Sequence, residues 1–524
     1  MSSRYYIDVN TTVGKRTNII SENIPYTTED FLKDQRYYGI DLSLASMSYA
    51  SDYSVFIANK EIIDISKKNK RILPIISLYP GFQNDIKDFN NYLYNLYLNG
   101  AKGISLCLKN MFVFSKERII PIFIFAQDNN LPILINFSDI EQNFEIFDLI
   151  KQFPGLKVVI GNINFAYVKY IVDYMKNNNN LYISISNCLM QNLIEYLVNE
   201  VGDERILFGS GYPLANIGSS KAMLEYTNIS EKSKNKISYL NAIRLFNIDK
   251  SIEKNKQDNL DRIASAIDNG QRLNEVIKAP IIDAHTHING DDSIATGWYG
   301  AQKSFDDLYE SSKRLGISKV FTSSLDGLTY TGSVGNSIIR NGISRENDFM
   351  YGYAYANPYY KEDINDCLKR LNDSKFIGLK LYPGTNRYPY DGKLYKEVLD
   401  KTNENRKIFL LHGSPDDARR ILEKYRGLKV ILAHTTQSYE FMNEAIEALK
   451  KYDNLYLDVC SRYNVMNPIR YLVDNGLENK IIYGSDAALL SQAAHLGLVG
   501  YERIPENKKV KILTRNVVDL LNRR

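Results

Sequence analysis

The feature that most constrains this chain is that it repeats itself. Residues 5–14 (YYIDVNTTVG) echo 280–290 (PIIDAHTHING), 99–106 (NGAKGISL) echo 374–381 (SKFIGLKL), and 131–138 (LPILINFS) echo 407–414 (KIFLLHGS). Further on, 155–162 (GLKVVIGN) answers 427–434 (GLKVILAH), and Asn180-Leu181-Tyr182 answers Asn454-Leu455-Tyr456. Tyr196-Leu197-Val198 then answers Tyr471-Leu472-Val473, and 205–211 (RILFGSG) answers 480–486 (KIIYGSD). The order never changes, and the offset stays between 272 and 276. A fixed spacing of this kind marks a duplicated structural unit.

Each repeated segment is short and β-branched or apolar, and stretches of helical length separate them. Strands alternating with helices imply βαβ units and a parallel sheet. Each copy runs about 245 residues, close to the ~250 typical of a (β/α)8 barrel. The 524 residues are therefore predicted to form two tandem (β/α)8 TIM-type barrels, over 1–250 and 279–524. The first ends near Asn241–Phe246 and the second near Asn516–Leu521. Between them, 251–278 reads as a charged linker. Leu260, Ile263 and Ile267 share one helical face there, which predicts an amphipathic helix lying against a barrel.

Composition excludes several classes. With 44% hydrophobic and 12% aromatic residues, each half can bury a core. The balance of 65 basic and 61 acidic residues, net +4, argues against a nucleic-acid binder. MSSRYYIDVN lacks the basic and apolar regions of a signal peptide. No apolar run approaches the ~18 residues a membrane span needs. Cys107, Cys188, Cys367 and Cys460 are far apart and form no CxxC. They read as buried free thiols of a reduced, cytoplasmic compartment.

All five histidines, His285, His287, His412, His434 and His495, lie in the second half. Histidine is the commonest metal ligand. In a barrel, residues at the carboxyl ends of strands face the active site. His285 and His287 are two apart on strand 1 and so share a direction. His412 ends the strand Ile408–Leu411, His434 ends Val430–Ala433, and Asp486 ends Ile481–Ser485. Four imidazoles and one carboxylate thus converge from about strands 1, 5, 6 and 8. Three His plus one carboxylate suit zinc, or a similar divalent ion such as manganese. His495 stands outside this pattern and reads as structural.

The ordered set IIDAHTH, AYANP (354–358), GLKLYP (378–383), LLHGS, ILAHTT (431–436) and YGSDA (483–487) resembles the amidohydrolase superfamily. The nearer resemblance is to the amidohydrolase-related branch that holds aminocarboxymuconate-semialdehyde decarboxylase, resorcylate-type decarboxylases and small-lactone hydrolases. It spans the whole second half; the first half resembles the same family without its ligands. The resemblance implies that His285, His287 and His412 are metal ligands. It makes Asp486 a ligand and the general base on metal-bound water, whose pKa the metal lowers toward ~7. It makes His434 a residue that binds or polarises substrate, or holds a second metal.

The first copy is an internal control. His285 becomes Asn10, His287 Thr12, His412 Asn136, His434 Asn162, Asp486 Gly211 and Lys380 Ser105. Amides and a hydroxyl are poor zinc ligands, so residues 1–250 are expected to bind no catalytic metal. Asp8 and Asp283, Ser210 and Ser485, and Asn241 and Asn516 survive in both copies, which points to roles in the fold.

Other residues near the predicted mouth are candidates for substrate contact. Lys380 and Tyr382 share one inward strand edge. A lysine on this strand is carboxylated and bridges two metals in some binuclear relatives, but a salt bridge or substrate contact is the simpler role. The family often has His where Tyr382 stands. Arg387 and Arg462 could clamp a substrate carboxylate, or be solvated surface residues. Trp298 falls in a loop after strand 1 that could close the mouth, or packs in the core. After GSD the family usually shows an aromatic and a proline. Here Ala487-Ala488 follow, whereas the first copy keeps Tyr212-Pro213.

The first reading is a metal-dependent hydrolase of a small lactone- or amide-like substrate, active in residues 279–524 alone. The second is non-oxidative decarboxylation of a small aromatic or unsaturated acid, which the same ligands would serve. The third is a protein that binds a ligand or partner and catalyses nothing, which is the leading reading for the first barrel. That barrel is expected to stand in for the neighbouring subunit of dimeric relatives, an intrachain pseudo-dimer.

Overall fold

Each copy of the repeat builds its own closed parallel sheet. The computed structural model describes residues 4–16, 24–108, 115–141, 143–249, 253–290 and 304–523. In the first unit the strands are β1 (Ile7–Val13), β2 (Leu42–Met47), β3 (Ile72–Leu78), β4 (Gly103–Leu106), β5 (Ile133–Asn136), β6 (Val158–Gly161), β7 (Leu181–Ser184) and β8 (Ile206–Leu207). In the second they are β9 (Ile282–Ile288), β10 (Lys319–Ser324), β11 (Met350–Ala354), β12 (Phe376–Leu381), β13 (Ile408–Leu411), β14 (Lys429–Leu432), β15 (Leu455–Asp458) and β16 (Ile481–Ile482). Every strand pairs in parallel with the next in sequence. The first ring closes where Val9 N–H donates to Phe208 O at 3.1 Å and Gly211 N–H to Asn10 O at 3.0 Å. The second closes through Ala284 N–H to Tyr483 O at 3.0 Å and Asp486 N–H to His285 O at 2.7 Å. The two tandem (β/α)8 barrels expected from the repeat are present.

Helices cover each ring by burying one stripe. Val168–Asn177 turns Val168, Ile171, Val172 and Met175 inward, a spacing of three to four residues. Its counterpart Tyr439–Lys451 buries Tyr439, Met442, Ala445, Ala448 and Leu449 and is N-capped by Ser438. Within the predicted linker, residues up to Leu260 group with the first compact unit and those from Asp261 with the second. Its first part belongs to barrel one, where Asn255 N–H donates to Asp41 Oδ1 at 2.6 Å. Its second part carries the helix Arg262–Asp268, which buries Ile263 and Ile267 in barrel two; Leu260 precedes that helix and is only half-buried. A Cβ on Gly500 would lie 2.0 Å from Ile267 Cδ1, so glycine there admits the helix. All four cysteines are free, and Cys107, expected to be buried, is only partly so. Among the described residues, no helix is long and apolar enough to cross a membrane.

Two devices aim the first strand of each barrel. The register of β1 shifts between Asp8 and Thr11, and that of β9 between Asp283 and Thr286. Bulges of this kind re-aim side chains. Ile282 and Ala284 pack into the second barrel's core cluster, while His285, within the bulge, and His287, beyond it, direct Nε2 at Asp486. Below the bulge, Asp283 accepts from His285 N at 3.3 Å, Ser485 N at 3.0 Å and Ser485 Oγ at 2.6 Å. Asp8 accepts from Asn10 N at 3.1 Å, Ser210 N at 3.0 Å and Ser210 Oγ at 2.5 Å. Burial pushes each carboxyl up to about 7. Asn241 and Asn516 each donate to two carbonyls at the root of the last strand. These contacts are alike in both barrels, as expected of residues that hold the fold.

Candidate active site

The mouth of the second barrel gathers donors from strands one, four, five, six, seven and eight. His285 Nδ1 lies 2.7 Å from Asp458 Oδ2 at the end of β15. With that nitrogen donating, Nε2 keeps its lone pair and faces Asp486 Oδ1 at 3.6 Å. His287 Nε2 lies 2.9 Å from the same oxygen, and its Nδ1 lies 2.9 Å from Ser323 Oγ on β10. One atom each from His285, His287 and Asp486 therefore fall within 4.8 Å of one another.

His434 and His412 form a second pair, with Nε2 of the former 3.2 Å from Nδ1 of the latter. The His412 ring stands edge-on to Tyr382, centroids 4.3 Å apart. Lys380 is buried on β12, and its Nζ lies 3.2 Å from His285 Nε2. Among the described residues no carboxylate lies within ion-pair distance of Lys380 Nζ, which leaves it facing the histidines. Cys460 Sγ lies 3.3 Å from both His285 Nδ1 and His434 Nδ1 and 3.1 Å from Asp458 Oδ1. One ligand atom each from His285, His434 and Cys460 thus also fall within 4.8 Å of one another. That group is chemically weaker, because Asp458 already engages His285 Nδ1 and burial drives the thiol well above its ordinary pKa. Cys460 is a donor to Asp458.

Electrostatics prepare the first group for a cation. Burial lowers the pKa of His285, of His412 and of His434, the last to about 4. Burial opposes ionisation of Asp486, but the His287 hydrogen bond and the surrounding imidazoles carry its pKa well below the usual carboxylate range. Neutral imidazole and ionised carboxylate are the forms that ligate. Burial also lowers the pKa of Lys380.

His434 and Asp486 are held at φ of 61° and 62°. Left-handed backbone is uncommon for residues other than glycine and costs of order 1 kcal/mol or more. The first barrel has Asn162 at 53° and Gly211 at 81° in the same places, residue types that adopt this conformation most readily. The second barrel therefore carries backbone strain that the first relieves. His434 also gives a pH prediction. Its folded pKa lies below the unfolded 6.5, so its contribution is full above 6.5 and is lost as pH falls toward about 4. Asp8 and Asp283 act in the opposite sense but are common to parent and variant. On melting metal-free protein at pH 7 and pH 5, the parent is expected to lose more stability than His434→Asn. Equal losses would refute the assignment.

The structure brings together His285, His287, His412, His434, Asp486, Lys380 and Tyr382, all anticipated. His412 is not within the three-residue group; it joins through His434. Arg387, at φ 49°, and Arg462 are exposed. Trp298 lies outside the described residues. His495 is buried and outside the three-residue group, its Nε2 accepting from Ser461 N at 3.0 Å. Sequence reasoning missed Asp458 and Cys460. The repeat carried a signal for both: at the matching offset they become Ser184 and Ser186, the same loss of function-bearing groups seen at the histidines.

The chain belongs to the amidohydrolase family, whose model matches residues 100–248 and 336–523. It is 31% identical over 125 residues to gamma-resorcylate decarboxylase of Polaromonas sp. (strain JS666 / ATCC BAA-500), and 27% over 125 residues to that of Rhodococcus jostii (strain RHA1). Each match covers 20% of this chain and 37% of the relative. Among solved structures, 2,6-dihydroxybenzoate decarboxylase from Rhizobium aligns at a TM-score of 0.39 and 13% identity, covering 46% of this chain and 98% of that one.

Proposed function

We propose that the second barrel is a metal-dependent decarboxylase of a small aromatic or unsaturated acid, and that the first barrel is non-catalytic. The observation that carries the metal-dependent part is the convergence of His285, His287 and Asp486, with Asp458 fixing the tautomer of His285. Such outer partners orient metal-bound histidines. The residues fit a divalent ion, zinc or manganese, held by His285, His287 and Asp486 with His412 as the further ligand. Among the described residues, both groups able to hold a metal lie in this barrel. Decarboxylation is placed ahead of hydrolysis, which the residues alone had put first, because both curated relatives are gamma-resorcylate decarboxylases.

Bound there, the ion would supply a Lewis acid that draws charge from the substrate's carboxylate and adjacent oxygen. Asp486, ionised at rest, takes the proton of the hydroxyl next to that carboxylate and delivers it to the carbon bearing it. The carbon–carbon bond breaks, its electron pair returns to the ring and carbon dioxide leaves. Lys380 Nζ offers a hydrogen-bonding group to the substrate's oxygens, His434 lies beside it to bind or polarise substrate, and Tyr382 forms a wall.

The test is turnover of 2,6-dihydroxybenzoate by manganese- or zinc-loaded protein, followed by appearance of the decarboxylated phenol, beside a panel of lactones. Phenol formation that disappears in Asp486→Asn is expected. Lactone opening with no carbon dioxide release would restore hydrolysis and refute decarboxylation.

A further inference from the structure

Cys460 is buried at the mouth of the second barrel, just past the end of β15, and has no direct part in the proposed reaction. A thiol has a single proton to give. Two groups could take it: Asp458 Oδ1 at 3.1 Å and His434 Nδ1 at 3.3 Å. The carboxylate oxygen is the nearer and, being charged, the stronger acceptor, so the proton goes to Asp458. His285 Nδ1 is also 3.3 Å from the sulfur, but it is already a donor to Asp458 Oδ2 at 2.7 Å. Toward His434 the sulfur can then only accept. The hydrogen of that imidazole therefore sits on Nδ1, and Nε2 keeps the lone pair.

The same reasoning carries one residue further. His434 Nε2 lies 3.2 Å from His412 Nδ1. With a lone pair on the first, the hydrogen between them belongs to the second. His412 thus keeps its lone pair on Nε2, the nitrogen through which it can ligate. The backbone N–H of His434 is fixed on Asp458 Oδ1 at 2.9 Å, which anchors this ring beside the sulfur. Without an acceptor at Cys460, the His434 hydrogen would move to Nε2 and donate to His412 Nδ1. The hydrogen of His412 would then occupy Nε2 and block it.

The first barrel has Ser186 in the place of Cys460. Ser186 Oγ accepts from Asn162 N at 3.0 Å and from Asn10 Nδ2 at 2.8 Å, the residues in the places of His434 and His285. This position is an acceptor in both barrels. In the second it faces imidazoles, whose tautomer decides whether they can bind metal.

We propose that Cys460 is a positioning residue: its sulfur accepts from His434 Nδ1–H and, through His434, sets the tautomer in which His412 joins the metal. The inference rests on the metal-binding part of the proposed function.

The test is proton–nitrogen NMR correlation of the imidazole rings in full-length, metal-free protein with isotope-labelled histidine, the signals assigned with His434→Asn and His412→Asn. The parent is expected to carry hydrogen on Nδ1 of both His434 and His412. Cys460→Val, similar in size but without an acceptor, is expected to move both to Nε2 and to weaken manganese binding ~10–100-fold. Cys460→Ser, which places the first barrel's residue in the second, is expected to restore both tautomers and to bind manganese within a few-fold of the parent. Hydrogen on Nε2 of His434 in the parent would overturn the proposal with no variant needed. So would unchanged tautomers in folded Cys460→Val, or equally weakened manganese binding in folded Cys460→Val and Cys460→Ser. The tautomers are read without metal or substrate, so they can fail while decarboxylation stands, and the reverse.

Discussion

His285→Ala/His287→Ala will leave the protein without its divalent metal and without measurable turnover. Both residues lie on β9, His285 within its bulge and His287 beyond it, and both direct Nε2 at Asp486 Oδ1, at 3.6 and 2.9 Å. Outer partners of metal ligands alone are worth ~10–100-fold in affinity. Losing two direct ligands should lower affinity by more than ~1000-fold, and activity with it. Elemental analysis of parent and variant should show about one metal per chain falling to none; about two in the parent would point to Lys380 as a bridging carbamate. Folding failure is separable from ligand loss because the chain supplies its own control. His285→Asn/His287→Thr reproduces Asn10 and Thr12 of the first barrel, in the same bulged strand. A folded variant of that kind that still retains metal would remove these residues from the site.

How much of this was legible in the sequence depends on which interaction placed each residue. The two barrels were legible because the repeat preserves strand cores, and strands such as Ile408–Leu411 and Val158–Gly161 are short apolar runs. The histidines were legible because strand ends in a barrel share one mouth. The bulge at Asp283–Thr286 was not, because alternation in IDAHTHI shows no extra residue. How the charged stretch 251–278 is shared was not, because its composition does not show that Asn255 bonds in the first barrel while Ile263 and Ile267 bury in the second. Asp458 was overlooked because a lone aspartate at a strand end usually satisfies backbone groups, and here it does both: Oδ1 accepts from His434 N at 2.9 Å while Oδ2 holds His285. Arg387 and Arg462 were proposed from position after their strands, which does not fix where a long exposed side chain points.

Asp458→Asn will weaken the metal without emptying the barrel of ligands. The buried carboxylate accepts from both His285 Nδ1–H and His434 N–H. Asparagine keeps the shape and can still accept from His434 with its oxygen. Its amide nitrogen then faces His285 Nδ1, where two N–H groups would oppose each other. The imidazole escapes by moving its proton to Nε2, the atom directed at Asp486. A protonated Nε2 cannot ligate. The expected result is ~10–100-fold weaker metal binding, with every direct ligand in place and a correspondingly larger requirement for added metal in the assay. Cys460→Ser keeps a donor to Asp458 and should stay within a few-fold of the parent, which separates tautomer control from disturbance of the buried cluster. Unchanged metal affinity in Asp458→Asn would mean that His285 does not depend on Asp458 for its tautomer. A similar loss in Cys460→Ser would mean that the cluster responds to packing and not to the carboxylate's charge.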